Sequence, residues 1–150
     1  MLFVCSGNIC RSPMAEGLLR TYAAARERPV EVKSAGTLNI IDVPADAYAV
    51  GVCAELGVDL GSHRSQGVTR ELLAWADYIL VMEYAHAAAV RALLPEVGEK
   101  VLLLGGFGRS MEIADPIGGW KFQFRWSRDE IKVAVEMFLD RLPAKPPTRA

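Results

Sequence analysis

No stretch of this sequence is apolar for long enough to cross a bilayer. The longest runs, at residues 77–82 and 101–104, fall far below the ~20 residues a spanning helix needs. The opening residues also lack the basic stretch and apolar segment of a secretion signal, so no export signal is expected. Neither sign of charge dominates, with 17 Lys and Arg against 18 Asp and Glu. That balance removes any general attraction to nucleic acid or to an anionic membrane, and any anion binding has to be local. Cysteine is scarce: three residues, an odd number without repeated spacing, make a poor secreted disulfide framework. These absences favour a cytoplasmic protein whose thiols stay reduced.

What is present suits one domain over residues 1–150, with 51% hydrophobic residues to fill a core. Residues 1–4 read as a buried strand that empties into a glycine-containing stretch at 5–11. A helix is expected next, with Ser12 as N-cap, Pro13 at the first position, Glu16 in the first turn, and Leu18, Leu19 and Tyr22 as its apolar stripe. Further strands are expected at 30–33, 78–82 and 101–104, and further helices at 45–56, 69–76 and 85–94. A long connection over 105–126 has the length of a functional loop. The last helix is expected to start at Ser127, which forms an S-x-x-E box with Glu130. Ile131, Ala134, Val135, Phe138 and Leu142 then share a face before Pro143, and 143–150 read as a flexible tail. Strands alternating with helices imply an α/β, doubly wound, four-stranded parallel sheet with helices on both faces. Ligands in such folds bind beyond the carboxyl ends of the strands, the edge at which Cys5 and Asp115 are expected.

Cys5-Ser6-Gly7-Asn8-Ile9-Cys10-Arg11-Ser12 carries most of the functional argument. A cysteine and an arginine bracket a loop that runs into a helix N-terminus, so the amides from Ser6 to Ser12 can converge on one phosphate or sulfate. Gly7 and Asn8 are residue types that tolerate left-handed backbone angles and let the N–H groups turn inward. The Arg11 fork can give two parallel hydrogen bonds to phosphoryl oxygens, a geometry lysine does not reproduce. The same field favours a thiolate on Cys5, and Ser12 can donate its hydroxyl proton to that sulfur. Cys53 shares a helical face with Leu56 and reads as a small buried residue.

In these residues the chain resembles the low-molecular-weight protein tyrosine phosphatases, whose Val-Cys-x-Gly-Asn-x-Cys-Arg-Ser-Pro signature stands here as Val4 to Pro13. Met14-Ala15-Glu16, Ser34-Ala35-Gly36-Thr37, His63-Arg64-Ser65 and Asp115-Pro116 recur in family order. The resemblance implies hydrolysis of a phosphorylated protein or peptide through a phosphocysteine on Cys5, with Asp115 as general acid and then activator of water, and with no metal or cofactor. It implies that Asn8, Ser12, Ser34 and His63 form a network supporting the loop; without it, His63 reads as an ordinary surface histidine. It also implies that Cys10 can trap an oxidised Cys5 as a reversible disulfide, beside the plainer reading that Cys10 packs under the loop.

The cleft is short of aromatics where tyrosine-directed relatives carry them: Leu38-Asn39-Ile40-Ile41-Asp42 follows the second strand and Ile117-Gly118-Gly119 follows Asp115-Pro116. Asp-Pro-x-Gly-Gly also resembles the arginine-phosphatase branch, which generally places Thr where Ile9 stands. Because Ile9 cannot hydrogen-bond a guanidinium, phosphotyrosine is the favoured substrate and phosphoarginine the alternative. Thioredoxin-coupled arsenate reduction would need further cysteines near Val81-Met82-Glu83-Tyr84, which has none. A phospho-ligand binding module that has lost its chemistry is at odds with the joint presence of Cys5, Arg11, Ser12 and Asp115. Trp120, Phe122, Phe124 and Trp126 alternate with polar residues; if extended, they would share one side, suited to packing under the acid loop or to a substrate rim rather than to nucleic acid.

Overall fold

Alternation along β1 (Leu2–Cys5) sends Phe3 and Cys5 to one side of the sheet and Leu2 and Val4 to the other, and all four are buried. β3 (Ile79–Val81) repeats the pattern: Leu80 joins Phe3, while Ile79 and Val81 join Leu2 and Val4. A sheet apolar on both faces needs a layer on each. In the computed structural model, which describes residues 1–143, α1 (Arg11–Ala25), α2 (Ala47–Ala54) and α5 (Lys121–Arg141) cover the first face. The other face carries α3 (Arg70–Trp75) and α4 (Tyr84–Leu93). With β2 (Lys33–Gly36) and β4 (Val101–Leu103), the strands run in the order β2-β1-β3-β4, all parallel. This is the expected doubly wound sheet, with the cysteine loop between β1 and α1. Among the described residues no helix is long and apolar enough to cross a membrane.

Several boundaries differ from expectation for identifiable reasons. The second strand is Lys33–Gly36 rather than 30–33. Its small residues pair with β1, Cys5 opposite Gly36, because the loop lies against it. A Cβ on Gly36 would stand 2.6 Å from the Ser6 carbonyl oxygen and 3.0 Å from the Asn8 nitrogen, so this approach excludes the apolar residues by which strands are recognised. Helix α1 begins at Arg11 with Cys10 in the capping position, so Ser12 lies inside the helix and its hydroxyl is engaged with the loop instead of capping. Glu16 consequently sits beyond the first turn and pairs with Arg20 at 2.9 Å.

The last helix starts six residues before Ser127, at Lys121, where the Trp120 N–H donates to Gln123 Oε1 at 2.6 Å. Ser127 is buried and donates to the Ala114 carbonyl at 3.1 Å, and Glu130 accepts from Trp126 Nε1, so neither forms the expected box. The long connection is therefore shorter than 105–126, and it opens with a 3-10 turn at Leu104–Phe107. The aromatic run is helical, not extended: Phe124 is buried edge-on against Tyr48, while Trp120, Phe122 and Trp126 are exposed. Ile131, Ala134, Val135 and Phe138 form the expected buried face. Of the expected tail, Pro143 is exposed and 144–150 lie outside the described residues.

Candidate active site

The loop after β1 is held by its carbonyl oxygens. Cys5 O accepts from the Thr37 N–H and Ser6 O from the Leu38 N–H, both at 2.9 Å; Ile9 O accepts from the Asp46 N–H at 2.8 Å, and Cys10 O from the Met14 N–H at 3.2 Å. His63 Nε2–H donates to Asn8 O at 2.7 Å, because a carbonyl can only accept. No peptide bond here is cis, and in a trans peptide C=O and the following N–H point in opposite directions. Five carbonyls tied to the surrounding scaffold therefore turn the N–H groups of Ser6, Gly7, Ile9, Cys10 and Arg11 away from it, and the Asn8 N–H donates to Cys5 Sγ at 3.3 Å. Together these groups form a nest of N–H groups at the N-terminus of α1, a geometry suited to an anion. The left-handed turn that makes it possible lies at Asn8, φ 57°, not at Gly7.

Asn8 is buried and every polar group it carries is engaged. Its Nδ2 donates to Ser12 Oγ at 2.8 Å and to Ser34 Oγ at 2.9 Å, and its Oδ1 accepts from the Gln66 N–H at 2.9 Å. Cys5 Sγ lies 2.9 Å from Ser12 Oγ. Since Ser12 Oγ accepts from Asn8, its own proton is free to point at the sulfur. The structure thus brings Asn8, Ser12, Ser34 and His63 into one hydrogen-bonded group behind Cys5.

Arg11 is almost fully buried, and the two protons of its Nη1 have separate acceptors: Glu83 Oε2 at 2.8 Å and the Ile113 carbonyl at 2.7 Å. That leaves Nε and Nη2, one edge of the fork, to face a phosphoryl group. Among the described residues Nη2 makes only long contacts, 3.4 Å to Ser6 Oγ and 3.5 Å to Asp115 Oδ2. Asp115 is brought over the loop from the connection after β4, whose Ile113 N–H is tied to the Met82 carbonyl at 3.0 Å; the Asp115 carboxylate also accepts from the Ile117 N–H at 3.1 Å.

Glu83 and His86, at the start of α4, escape a reading of motifs. Buried His86 accepts the Glu83 N–H at Nδ1, 3.1 Å, and its Nε2 lies 2.9 Å from Ser6 Oγ. Burial, and after it the positive charge of Arg11, hold its pKa below the usual histidine value, so the ring is neutral. The available signal was positional: an acid and a histidine immediately after β3, at the ligand-bearing edge of a parallel sheet. Gly36 and Gln66 also escape it, since one acts through lack of a side chain and the other through its main chain.

Cys10 is buried in the core below the loop, and burial pushes its thiol well above the ordinary value, with Asp46 and Asp115 adding to the shift. Cys53 is buried too, its thiol pushed up to about 12 by desolvation. Beside the cradle, Ile9 and Ile40 flank Gly7: a Cβ there would be 3.5 Å from each. Leu38, Ile41 and Ile117 expose apolar surface nearby in sequence, so these two loops carry aliphatic rather than aromatic side chains.

The chain is similar to known proteins over nearly its full length. The family described as low molecular weight phosphotyrosine protein phosphatase matches residues 1–147. The low molecular weight protein-tyrosine-phosphatase Etp of Escherichia coli (strain K12) is 46% identical over 116 residues, 77% of this chain and 76% of that protein. A protein-arginine-phosphatase of Geobacillus stearothermophilus is 37% identical over 145 residues, 95% of each. The crystal structure of the low molecular weight protein tyrosine phosphatase from T. tengcongensis superposes with a TM-score of 0.89 at 33% identity, covering 94% of this chain and 97% of that one. A cysteine loop braced from behind by asparagine, serine and histidine, on a parallel sheet matched over nearly its full length, places the chain in the low molecular weight phosphotyrosine protein phosphatase family.

Proposed function

We propose that this chain hydrolyses phosphotyrosine in proteins through a phosphocysteine formed on Cys5. The observation that carries the reading is the orientation of the loop: its carbonyls are tied outward and its amides turned inward around Cys5 Sγ, with the Nε–Nη2 edge of Arg11 alongside, its Nη2 engaged at 3.4 and 3.5 Å. Phosphate oxygens taken up by these amides and by Arg11 place phosphorus in reach of the sulfur. The S–P bond forms as the P–O bond to the tyrosyl oxygen breaks, and Asp115, entering as the carboxylic acid, gives its proton to that oxygen. In the second step Asp115, now a carboxylate, takes a proton from water as the water oxygen attacks phosphorus. The P–S bond breaks, phosphate leaves, and the Ser12 hydroxyl stabilises the departing thiolate. Cys5, Arg11 and Asp115 carry the reaction, the amides of the loop bind phosphate, and Asn8, Ser34 and His63 hold the loop in shape. A reducing cytoplasm suits this chemistry, since it keeps Cys5 as a thiol.

The apolar flank formed by Ile9 and Ile40 supports an aryl group over a guanidinium, which would leave its N–H groups without acceptors there. Phosphoarginine stays as the second reading because the Geobacillus stearothermophilus arginine phosphatase is similar over 95% of the chain. The test compares p-nitrophenyl phosphate, phosphotyrosine peptides and phosphoarginine protein as substrates without added metal, for the wild type, Cys5→Ser and Ile9→Thr. Turnover of phosphotyrosine in preference to phosphoarginine, lost in Cys5→Ser, is the expected result. Hydrolysis by Cys5→Ser at the parental rate would overturn the mechanism, and a preference for phosphoarginine would overturn the substrate.

A further inference from the structure

The loop holds one proton whose direction the residues after β3 decide. His86 Nδ1 accepts the Glu83 N–H, so the neutral ring carries its proton on Nε2. That Nε2–H then donates to Ser6 Oγ across 2.9 Å. Arg11 Nη2 aims a second donor at the same oxygen from 3.4 Å. With donors on both of its lone pairs, the Ser6 hydroxyl keeps its own proton free, and among the described residues no acceptor takes it. Ser6 is next to the nucleophile in sequence, its oxygen faces the Arg11 edge left open for phosphate, and it is only partly buried.

We propose that the Ser6 hydroxyl is a further hydrogen-bond donor to the bound phosphoryl group, and that His86 is the positioning residue that points it there. The opposite tautomer, with Nδ1 protonated and Nε2 bare, would draw the Ser6 proton onto the imidazole and leave the phosphoryl oxygen without it. The fold prevents this: Nδ1 faces the N–H that opens α4, and a second proton there would set donor against donor. The groups around the ring are of both signs, Glu83 Oε2 at 3.5 Å and Arg11, with Glu112 and Asp115 further charges acting on it. Burial of all but 3% of His86 keeps water from supplying an alternative partner.

In its effect on turnover the inference rests on the phosphatase reading, so the deciding measurement is calorimetric titration of the full chain with inorganic phosphate at neutral pH. Ser6→Ala is expected to weaken binding roughly 10–100-fold, the usual worth of one hydrogen bond to a charged group. His86→Leu should weaken it to a similar degree although that side chain never touches phosphate, and the double variant should lose no more than either single one. His86→Gln, whose amide nitrogen can donate where Nε2 does, should recover most of the affinity, a rescue that a purely structural role for the ring would not give. Phosphate binding by Ser6→Ala equal to wild type, or equal losses in His86→Gln and His86→Leu, would overturn the proposal. If His86→Leu fails to fold, Ser6→Ala and His86→Gln decide it. Absence of p-nitrophenyl phosphate turnover in the wild type would instead sink the phosphatase reading, and the titration would still decide the role of Ser6.

Discussion

Replacing Gly36 with alanine tests whether the cradle is set by the strand behind it. The added Cβ would stand 2.6 Å from Ser6 O and 3.0 Å from Asn8 N, both backbone atoms of the loop. Ordinary contact begins at 3.4 Å, so Ser6 O has to yield by about 0.8 Å. Retreat of Gly36 is opposed, since it pairs with Cys5, donates to Gln66 O at 2.9 Å and accepts from Val68 N at 3.0 Å. The loop moves instead, and with it the inward amides. A displacement approaching 1 Å at reacting groups costs on the order of 10²-fold in rate, so kcat/KM for p-nitrophenyl phosphate should fall roughly 10–100-fold. Overpacking of this kind costs about 1–3 kcal/mol, and at roughly 2–4 °C per kcal/mol for a domain of this size the melting temperature should drop by about 2–12 °C. Gly7→Ala is the contrasting variant: its Cβ meets only Ile40 and Ile9 at an ordinary 3.5 Å, so the melting temperature should stay near wild type. A Gly36→Ala enzyme of parental rate and stability, or a larger loss of stability in Gly7→Ala, would refute the reasoning.

Asp115→Asn should lower kcat by about 10²–10⁴-fold, the range of a general acid. Inorganic phosphate should bind at least as tightly, because a negative charge 3.5 Å from Arg11 Nη2 is gone; an unchanged kcat would remove Asp115 from the chemistry. Glu55, hydrogen-bonded to Arg125 and also paired with Arg128, has its pKa lowered from 4.5 to about 2, so its contribution to stability is present above 4.5 and is lost as pH falls through about 2. Acid unfolding of Glu55→Gln should lack that dependence, and identical acid profiles would show that the pair does not tie α2 to α5. After peroxide, activity of the wild type should return with dithiothreitol, whereas Cys10→Ser should lose a fraction permanently; equal recovery would leave Cys10 as a packing residue. In the protective step Cys5 sulfenic acid condenses with the Cys10 thiol, releasing water and forming the disulfide.

Apolar strand residues made the sheet legible. Val4, Leu80 and Val81 are buried on a parallel sheet with both faces covered, and such strands show as apolar runs whatever surrounds them. β2 was displaced because its role is to accept a loop at close range, which requires serine, alanine and glycine where periodicity looks for valine or isoleucine. The start of α5 was displaced because Ser127 and Glu130 have the residue types of a cap but use them on Ala114 and Trp126. A side chain's hydrogen-bonding capacity can be read from sequence, but which partner takes it, within the helix as for Glu130 or from another segment as for Ser127, cannot.

The same distinction explains what was visible at the site. Cys5, Asn8 and Ser12 hydrogen-bond to one another within one short stretch of chain, and Arg11 reaches Ser6 in the same stretch, so their spacing already encodes their geometry. Glu83 and His86 act across 72 and 80 residues respectively, on Arg11 and Ser6, and nothing local distinguishes them from any acid and histidine at a helix start. Their effect depends on where the fold ends β3 beside β1, in register from Leu2 opposite Ile79 to Val4 opposite Val81. The chain leaving β3 is thereby brought alongside the chain leaving β1, and the groups that brace Arg11 and orient Ser6 arrive from a segment with no chemistry of its own. Glu83→Gln, which keeps an acceptor but removes the charge, should therefore impair phosphate binding less than Glu83→Leu, which leaves one Nη1 proton of buried Arg11 without a partner. Equal binding by the two variants would show that Arg11 does not depend on this brace.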